Sequence, residues 1–364
     1  MKTLCEDAIR LLRQMVRIPS LSGEEAAVAA CVGAALERFG IPYENIRGNL
    51  LARNRHFDPA KPTLALDAHL DTVPANSGYT RDPFNPGDDP AVVYGLGAND
   101  DGGSVVAMIA AFRHFFEREM PVNLLLVLSC EEEVSGPHGT RWLFGPDGLF
   151  AAGGPWPMPD WVIVGEPTQM QAATSERGLL VLDAEAEGVS GHAARGEGVN
   201  ALYIALDDIA ALRDHRFSRH SPRMGDVRLN VTQIEAGRVH NVIPDRCRFV
   251  VDIRPTEQYS NAELLAELQG LCRSRLTARN LANRSSATRE GSPLLAAVEA
   301  LGIPSYSSPT TSDWMRIPCD AVKLGPGDSA RSHKADEYIL TKEIEDGIGR
   351  YIAFIETFYG NTLE

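Results

Sequence analysis

Nowhere does the chain carry an apolar run approaching the roughly 20 residues a membrane-spanning helix needs, so no transmembrane helix is expected. Positive charge is scarce as well: 35 Lys and Arg face 49 Asp and Glu, a net charge of −14 over 364 residues. A nucleic-acid partner calls for a basic face, and an anionic membrane surface for attraction that this balance does not provide; neither partner is expected. The six cysteines (Cys5, Cys31, Cys130, Cys247, Cys272, Cys319) are scattered and include no CxxC pair, which argues for reduced, mostly buried thiols and against a disulfide framework. Internal repeats and low-complexity segments are lacking too. The N-terminal MKTLCEDAIRLLRQMVRIPS has charges where a signal peptide carries its apolar core, so it reads as a helix and the expected location is cytoplasmic.

What is present is ordinary in bulk: 44% apolar and 23% charged residues suit a globular protein. The length is generous for one core and comfortable for two domains. Ile9, Leu12, Met15 and Val16 form one helical stripe. Ser22 followed by Glu25 has the spacing of a capping box, predicting a second helix to about Phe39. Short apolar runs at 63–68, 122–129 and 161–164 then suit strands buried on both faces, with a helix over 104–119 among them. Strands alternating with helices predict an α/β domain with a mostly parallel sheet. Beyond about Thr174 the pattern becomes period-two, as in Leu180, Leu182, Ala184 and Ala186, or Cys247, Phe249, Val251 and Ile253. With helical stretches at 201–214 and 261–275, residues 174–285 read as an inserted ferredoxin-like α+β module. Residues 1–173 and 286–364 then form one catalytic domain in two parts, closed by a helix near 344–358.

Acidic and histidine residues gather just past the predicted strand ends: His69 and Asp71 in DAHLDTVP, Asp100 in GLGANDDGG, Glu132 and Glu133 in SCEEEVSG, Glu166 in IVGEPT, His333 in ARSHKADEY. Open α/β sheets place their ligands at that edge. Alone, HxD reads as a hydrogen-bonded turn, Asp100 nearly as well as a helix N-cap, and Glu166 and His333 as turn or surface residues. Three adjacent carboxylates after an apolar strand are different, because their repulsion calls for cations or protons. Strand alternation sends Glu132 and Glu133 in different directions, one to ligate and one to handle protons. Together the residues supply the mixed histidine and carboxylate donors that suit two zinc-like ions sharing a bridging carboxylate and a water. A hydrolase is expected.

The ordered motifs, from VRIPSLSGEE through HLDTVP, GLGANDDGG, EEEVSG, VGEPT, GHAARGEGVNA, HNVIPDRCRFVVDIR and SPTTSDW to SHKADEY, resemble the co-catalytic di-zinc aminoacylase and exopeptidase family. The likeness is to its acetylornithine deacetylase branch and covers nearly the whole chain. It implies a phosphorylase/hydrolase-like catalytic domain with two zinc ions, cobalt being a possible substitute. By that resemblance His69 and Glu166 hold one metal, Glu133 and His333 the other, and Asp100 bridges them through a residue followed by a cis peptide. Asp71 orients His69, and Glu132 is the general base for hydrolysis of an N-acyl-L-amino acid, acetyl- or succinyl-ornithine or acetylcitrulline first among them. The inserted module becomes a lid and homodimerisation domain, with His192 steadying the oxyanion of a neighbouring site and Asn241 and Arg254 binding substrate. A desuccinylase of succinyl-diaminopimelate, a dipeptidase or carboxypeptidase on the same scaffold, and a non-catalytic ligand-binding relative are the alternatives. Asp101, Gly102 and Ser332 depart from the family's usual residues without removing a ligand.

Overall fold

The computed structural model describes residues 1–154 and 156–361, which divide into two compact units. The first comprises Met1–Thr174, Ala287–Tyr306 and Ser312–Glu364, the second Ser175–Ser286 and Ser307–Thr311. Residues 307–311, assigned above to the second part of the catalytic domain, cluster instead with the second unit. Their backbone is tied to it, the Arg177 N–H donating to the Ser308 carbonyl at 3.3 Å.

In the first unit the apolar runs do form strands. Asn123–Ser129, Thr63–His69, Trp161–Val164 and Asp320–Lys323 lie side by side and all run parallel. Asn49–Arg53 and Glu44–Ile46 extend one edge antiparallel, and Ala172–Glu176 pairs antiparallel at the other. The Thr63–His69 and Asn123–Ser129 strands are buried at every position, which is why their sequences are unbroken apolar runs. Helices Lys2–Val16, Ala26–Arg38, Gly102–Phe115 and Thr341–Asn361 supply the apolar stripes, with Leu12, Val106, Phe112, Phe354 and Phe358 joining Leu64, Leu66 and Leu126 in one core. The third helix stops at Phe115, short of the expected 119. The second does not open on a capping box: Glu25 precedes it without a side-chain cap, for reasons given below.

In the second unit the strand order is Arg228–Ala236, Arg246–Arg254, Leu180–Glu187, Arg275–Ala278, all antiparallel. In chain order this is 2-3-1-4, with helix Ala201–Asp214 after the first strand and Asn261–Gln269 after the third, a ferredoxin-like arrangement. The alternating residues Leu180, Leu182, Phe249, Val251 and Ile253 form its core. The 261–275 stretch is not all helix. Ser260 and Glu263 close a capping box at its start, the helix ends before Gly270, and Arg275 already belongs to the last strand. No described helix is long and apolar enough to cross a membrane.

Candidate metal centre

Parallel register sets the site. His69 ends its strand opposite Ser129, and Asp67 lies opposite Val164, so the segments leaving the three strands emerge together. They carry His69, the Glu131–Glu133 turn and Glu166. Asp100 arrives on the loop before helix Gly102–Phe115, and its peptide bond to Asp101 is cis, as the resemblance implies. His333 follows the short turn Ser329–Arg331 in left-handed backbone, φ 59°.

Asp100 lies between the two histidines. Its Oδ1 is 3.3 Å from His69 Nε2 and its Oδ2 is 3.7 Å from His333 Nε2. His333 Nε2 also lies 3.0 Å from the Glu133 carboxylate. Among the described residues, donor atoms of His69, Glu132 and Glu133 come within 4.8 Å of one another, as do those of Asp100, Glu133 and His333. Glu166 belongs to neither group, although the charge of Asp100 acts on it. Strand alternation therefore misjudges Glu132 and Glu133. The strand ends at Ser129, the chain turns with Glu131 at φ 58°, and both following carboxylates face His69. Glu131 itself turns aside, both its oxygens held by His138.

Asp71 meets His69 through its carboxylate, as a histidine orienter should, and through its backbone as well. His69 Nδ1 is 3.0 Å from the Asp71 backbone carbonyl and 3.4 Å from its carboxylate. That carboxylate accepts the backbone N–H groups of Glu132 (3.0 Å) and Glu133 (3.1 Å) and the Ser22 hydroxyl (2.7 Å). The loop carrying Asp100 is fixed by a residue that no sequence signal singled out. The buried Glu337 carboxylate accepts the N–H groups of Gly97, Asn99 and Asp100.

Electrostatically the site has too much negative charge for its protein cations. Burial, then the charges of Asp313, Glu166 and Glu133, raise Glu132 well above the usual carboxylate range against the pull of His69. Burial and Asp100 do the same to Glu166, against Lys323. Burial alone would lower His69, but its bonds to Asp100 and Asp71 and the charge of Glu132 raise it well above normal. The partner of that bond, Asp100, is held low despite burial. Asp101, beside it, is fully buried, and burial pushes its carboxyl up to about 8 against the pull of His69 and a hydrogen bond from Ser104. Asp67, Asp313, Lys323 and Glu337 are further buried charges that sequence reasoning missed. Asp313 sits inside the quoted SPTTSDW and Glu337 inside SHKADEY, so position within a motif was the available signal. A set of two imidazoles and clustered carboxylates that raise one another is the donor chemistry of a divalent-metal centre.

The structure also brings His192 and Asn241 together in the second unit. Val242 pairs with His192, and the Ala193 N–H donates to the Asn241 carbonyl at 3.1 Å. Arg254 is at the far end of the strand that starts at Arg246, its guanidinium forked onto Asp252 at 2.8 and 3.1 Å.

The comparisons with known proteins agree with this architecture. An acetylornithine deacetylase from Salmonella arizonae is 28% identical over 382 residues, covering 95% of this chain and 96% of its own. Among solved structures, the M20 metallo-carboxypeptidase Sso-CP2 of Sulfolobus solfataricus superposes with a TM-score of 0.74 at 17% identity, covering 97% of this chain and 99% of that one. YXEP of Bacillus subtilis, described as a dinuclear metal-binding peptidase, gives 0.73 at 16% identity, with 98% of each chain covered. The signature of peptidase family M20/M25/M40 matches residues 65–357. The chain is a metal-dependent hydrolase of peptidase family M20/M25/M40.

Proposed function

We propose that the enzyme hydrolyses the amide bond of an N-acyl-L-amino acid, with N-acetyl- and N-succinyl-ornithine and acetylcitrulline the leading substrates, in the service of arginine biosynthesis. The observation that carries the reading is Asp100, whose two oxygens face two histidines from different elements, with Glu132 and Glu133 alongside. The named relatives support the substrate class. His69 and Glu166 would hold one zinc, Glu133 and His333 the other, and Asp100 would lie between them. When bound, the metals supply Lewis-acid polarisation and charge neutralisation.

The protein's own residues do the rest. Glu132 takes the proton of the attacking water and delivers it to the leaving amine. Its burial among other carboxylates makes it a stronger proton acceptor than a solvated glutamate. His69 keeps its orientation through Nδ1 at the Asp71 carbonyl. His192 accepts the Ala194 N–H on Nδ1 at 3.2 Å, which leaves its proton on Nε2, the donor an oxyanion requires. A homodimer through the second unit would offer that donor to a neighbouring site. Arg254 would exchange Asp252 for the substrate's α-carboxylate.

A panel varying acyl group and amino acid separately, on zinc- or cobalt-loaded enzyme, tests the reading. One of the three ornithine or citrulline derivatives should have the highest kcat/KM. Dominant cleavage of simple dipeptides would favour the peptidase reading, which solved neighbours such as the tripeptidase from Staphylococcus aureus also support. Tight binding of one N-acyl amino acid with no turnover of any would replace both with a ligand-binding role.

A further inference from the structure

The N-terminal SLSGEE segment makes no side-chain helix cap, and two of its polar side chains, Ser22 and Glu25, are engaged instead by loops that leave the sheet. Ser22 Oγ donates to Asp71 Oδ2 at 2.7 Å. Glu25, only 6% exposed, accepts the Gly23 N–H at 2.8 Å and the Glu131 N–H at 3.0 Å through one oxygen. Asp71 in turn accepts the N–H groups of Glu132 and Glu133. Three consecutive amides are thus each held by a carboxylate from another part of the chain. The segment bearing those groups is itself anchored, Thr72 N–H donating to the Ser20 carbonyl at 2.8 Å.

The turn needs such holding. Glu131 occupies left-handed backbone at φ 58°, an uncommon conformation for a residue with a side chain that persists only where its surroundings hold it. Peptide rotation there would re-aim the next two side chains. Those are Glu132 and Glu133, and Glu133 belongs to both donor groups. We propose that Ser22 and Glu25 are positioning residues for the metal centre, fixing the 131–133 amides so that Glu133 meets the metals and Glu132 the water. Asp71 joins the two halves of this clamp.

The role predicts a specific pattern of variants. Glu25→Ala removes the acceptor for two amides, whereas Glu25→Gln keeps a carbonyl oxygen in its place. Ser22→Ala removes the donor to Asp71, whereas Ser22→Thr restores it. Outer groups that orient metal ligands are typically worth 10- to 100-fold in metal affinity or activity. Metal affinity is read by competition with a chromophoric chelator on the full-length protein, and kcat and KM on the metal-loaded enzyme. The two alanine variants should lose about tenfold in metal affinity and about tenfold in kcat, with KM within twofold. Glu25→Gln and Ser22→Thr should recover most of both.

Alanine variants that melt earlier yet keep wild-type metal affinity and kcat would overturn the proposal. So would a Glu25→Gln protein as impaired as the Glu25→Ala one, since charge rather than amide geometry would then be at issue. If Glu25→Ala does not fold, the half-buried Ser22 pair carries the same test. The kcat arm rests on the proposed hydrolysis, whereas the affinity arm needs no substrate. Weakened metal binding in an enzyme that cleaves no N-acyl amino acid would therefore sink the functional reading and leave this one standing.

Discussion

At the scale of single residues, the proposed chemistry depends on Glu132 being a base rather than a structural ligand. Its placement beside His69 and Glu133, among carboxylates that raise it, suits a proton shuttle. Glu132→Gln keeps size and polarity but cannot accept the proton, so kcat should fall by roughly 10²–10⁴-fold with metal content unchanged by atomic absorption. Turnover near wild type would remove the assignment. Arg254 makes a second residue-scale prediction, because its planar fork already grips one carboxylate, Asp252. Lysine keeps the charge without the fork. Arg254→Lys should raise KM about tenfold for substrates with a free α-carboxylate, a loss near 1.4 kcal/mol, and leave KM unchanged for their α-amides. Equal effects on both substrates would show that Arg254 does not read that carboxylate.

Among elements, one pattern with two outcomes shows what sequence can convey. Ser-x-x-Glu occurs at Ser22–Glu25 and at Ser260–Glu263. At 260–263 it closes a capping box: Ser260 Oγ accepts the Glu263 N–H at 3.2 Å, and Glu263 accepts the Ser260 N–H at 2.8 Å. At 22–25 the same side chains are claimed by Asp71 and the Glu131 amide, 49 and 106 residues away. Local spacing cannot register such competitors. The same limit explains Glu132 and Glu133: the apolar strand was legible, the left-handed turn after it was not. The parallel strands were readable because burial on both faces writes unbroken apolar runs, and the shared edge of the candidate residues because strand ends deliver their loops there, whereas their division into ligands, orienter and base came from the family resemblance. Glu337 and Asp313 were not, since each acts through backbone or hydroxyl groups distant in sequence. Ser260→Ala tests the working cap. It should destabilise the second unit by about 1 kcal/mol in urea unfolding while leaving metal affinity untouched. A matching loss of metal affinity would mean that the cap serves the centre as well.

For the molecule as a whole, all the candidate ligands belong to the first unit, and so do the buried carboxyls around them. Burial raises Glu337 to about 7 and moves Asp101 and Asp313 upward too. An unfolded glutamate titrates near 4.5. Between that pH and about 7 the folded metal-free chain therefore holds a proton at Glu337 that the unfolded chain has released. Stability linked to that proton is complete below pH 4.5 and is lost as pH rises to about 7, and the other two carboxyls act in the same sense. Metal binding favours the charged carboxylates and should expel protons from the site. Calorimetric titration of metal into the apoprotein at pH 6 in buffers of different ionisation enthalpy should thus show net proton release. The apoprotein should also lose stability from pH 5 to 7 more steeply than the loaded form. Saturating metal at 100 times Kd adds about 2.7 kcal/mol for each site. Hydrogen exchange locates that gain: amides of 97–100 and 131–133 should slow on loading, while those of the Arg246–Arg254 strand should not change. Slowing confined to the second unit would place the metals elsewhere than at Asp100.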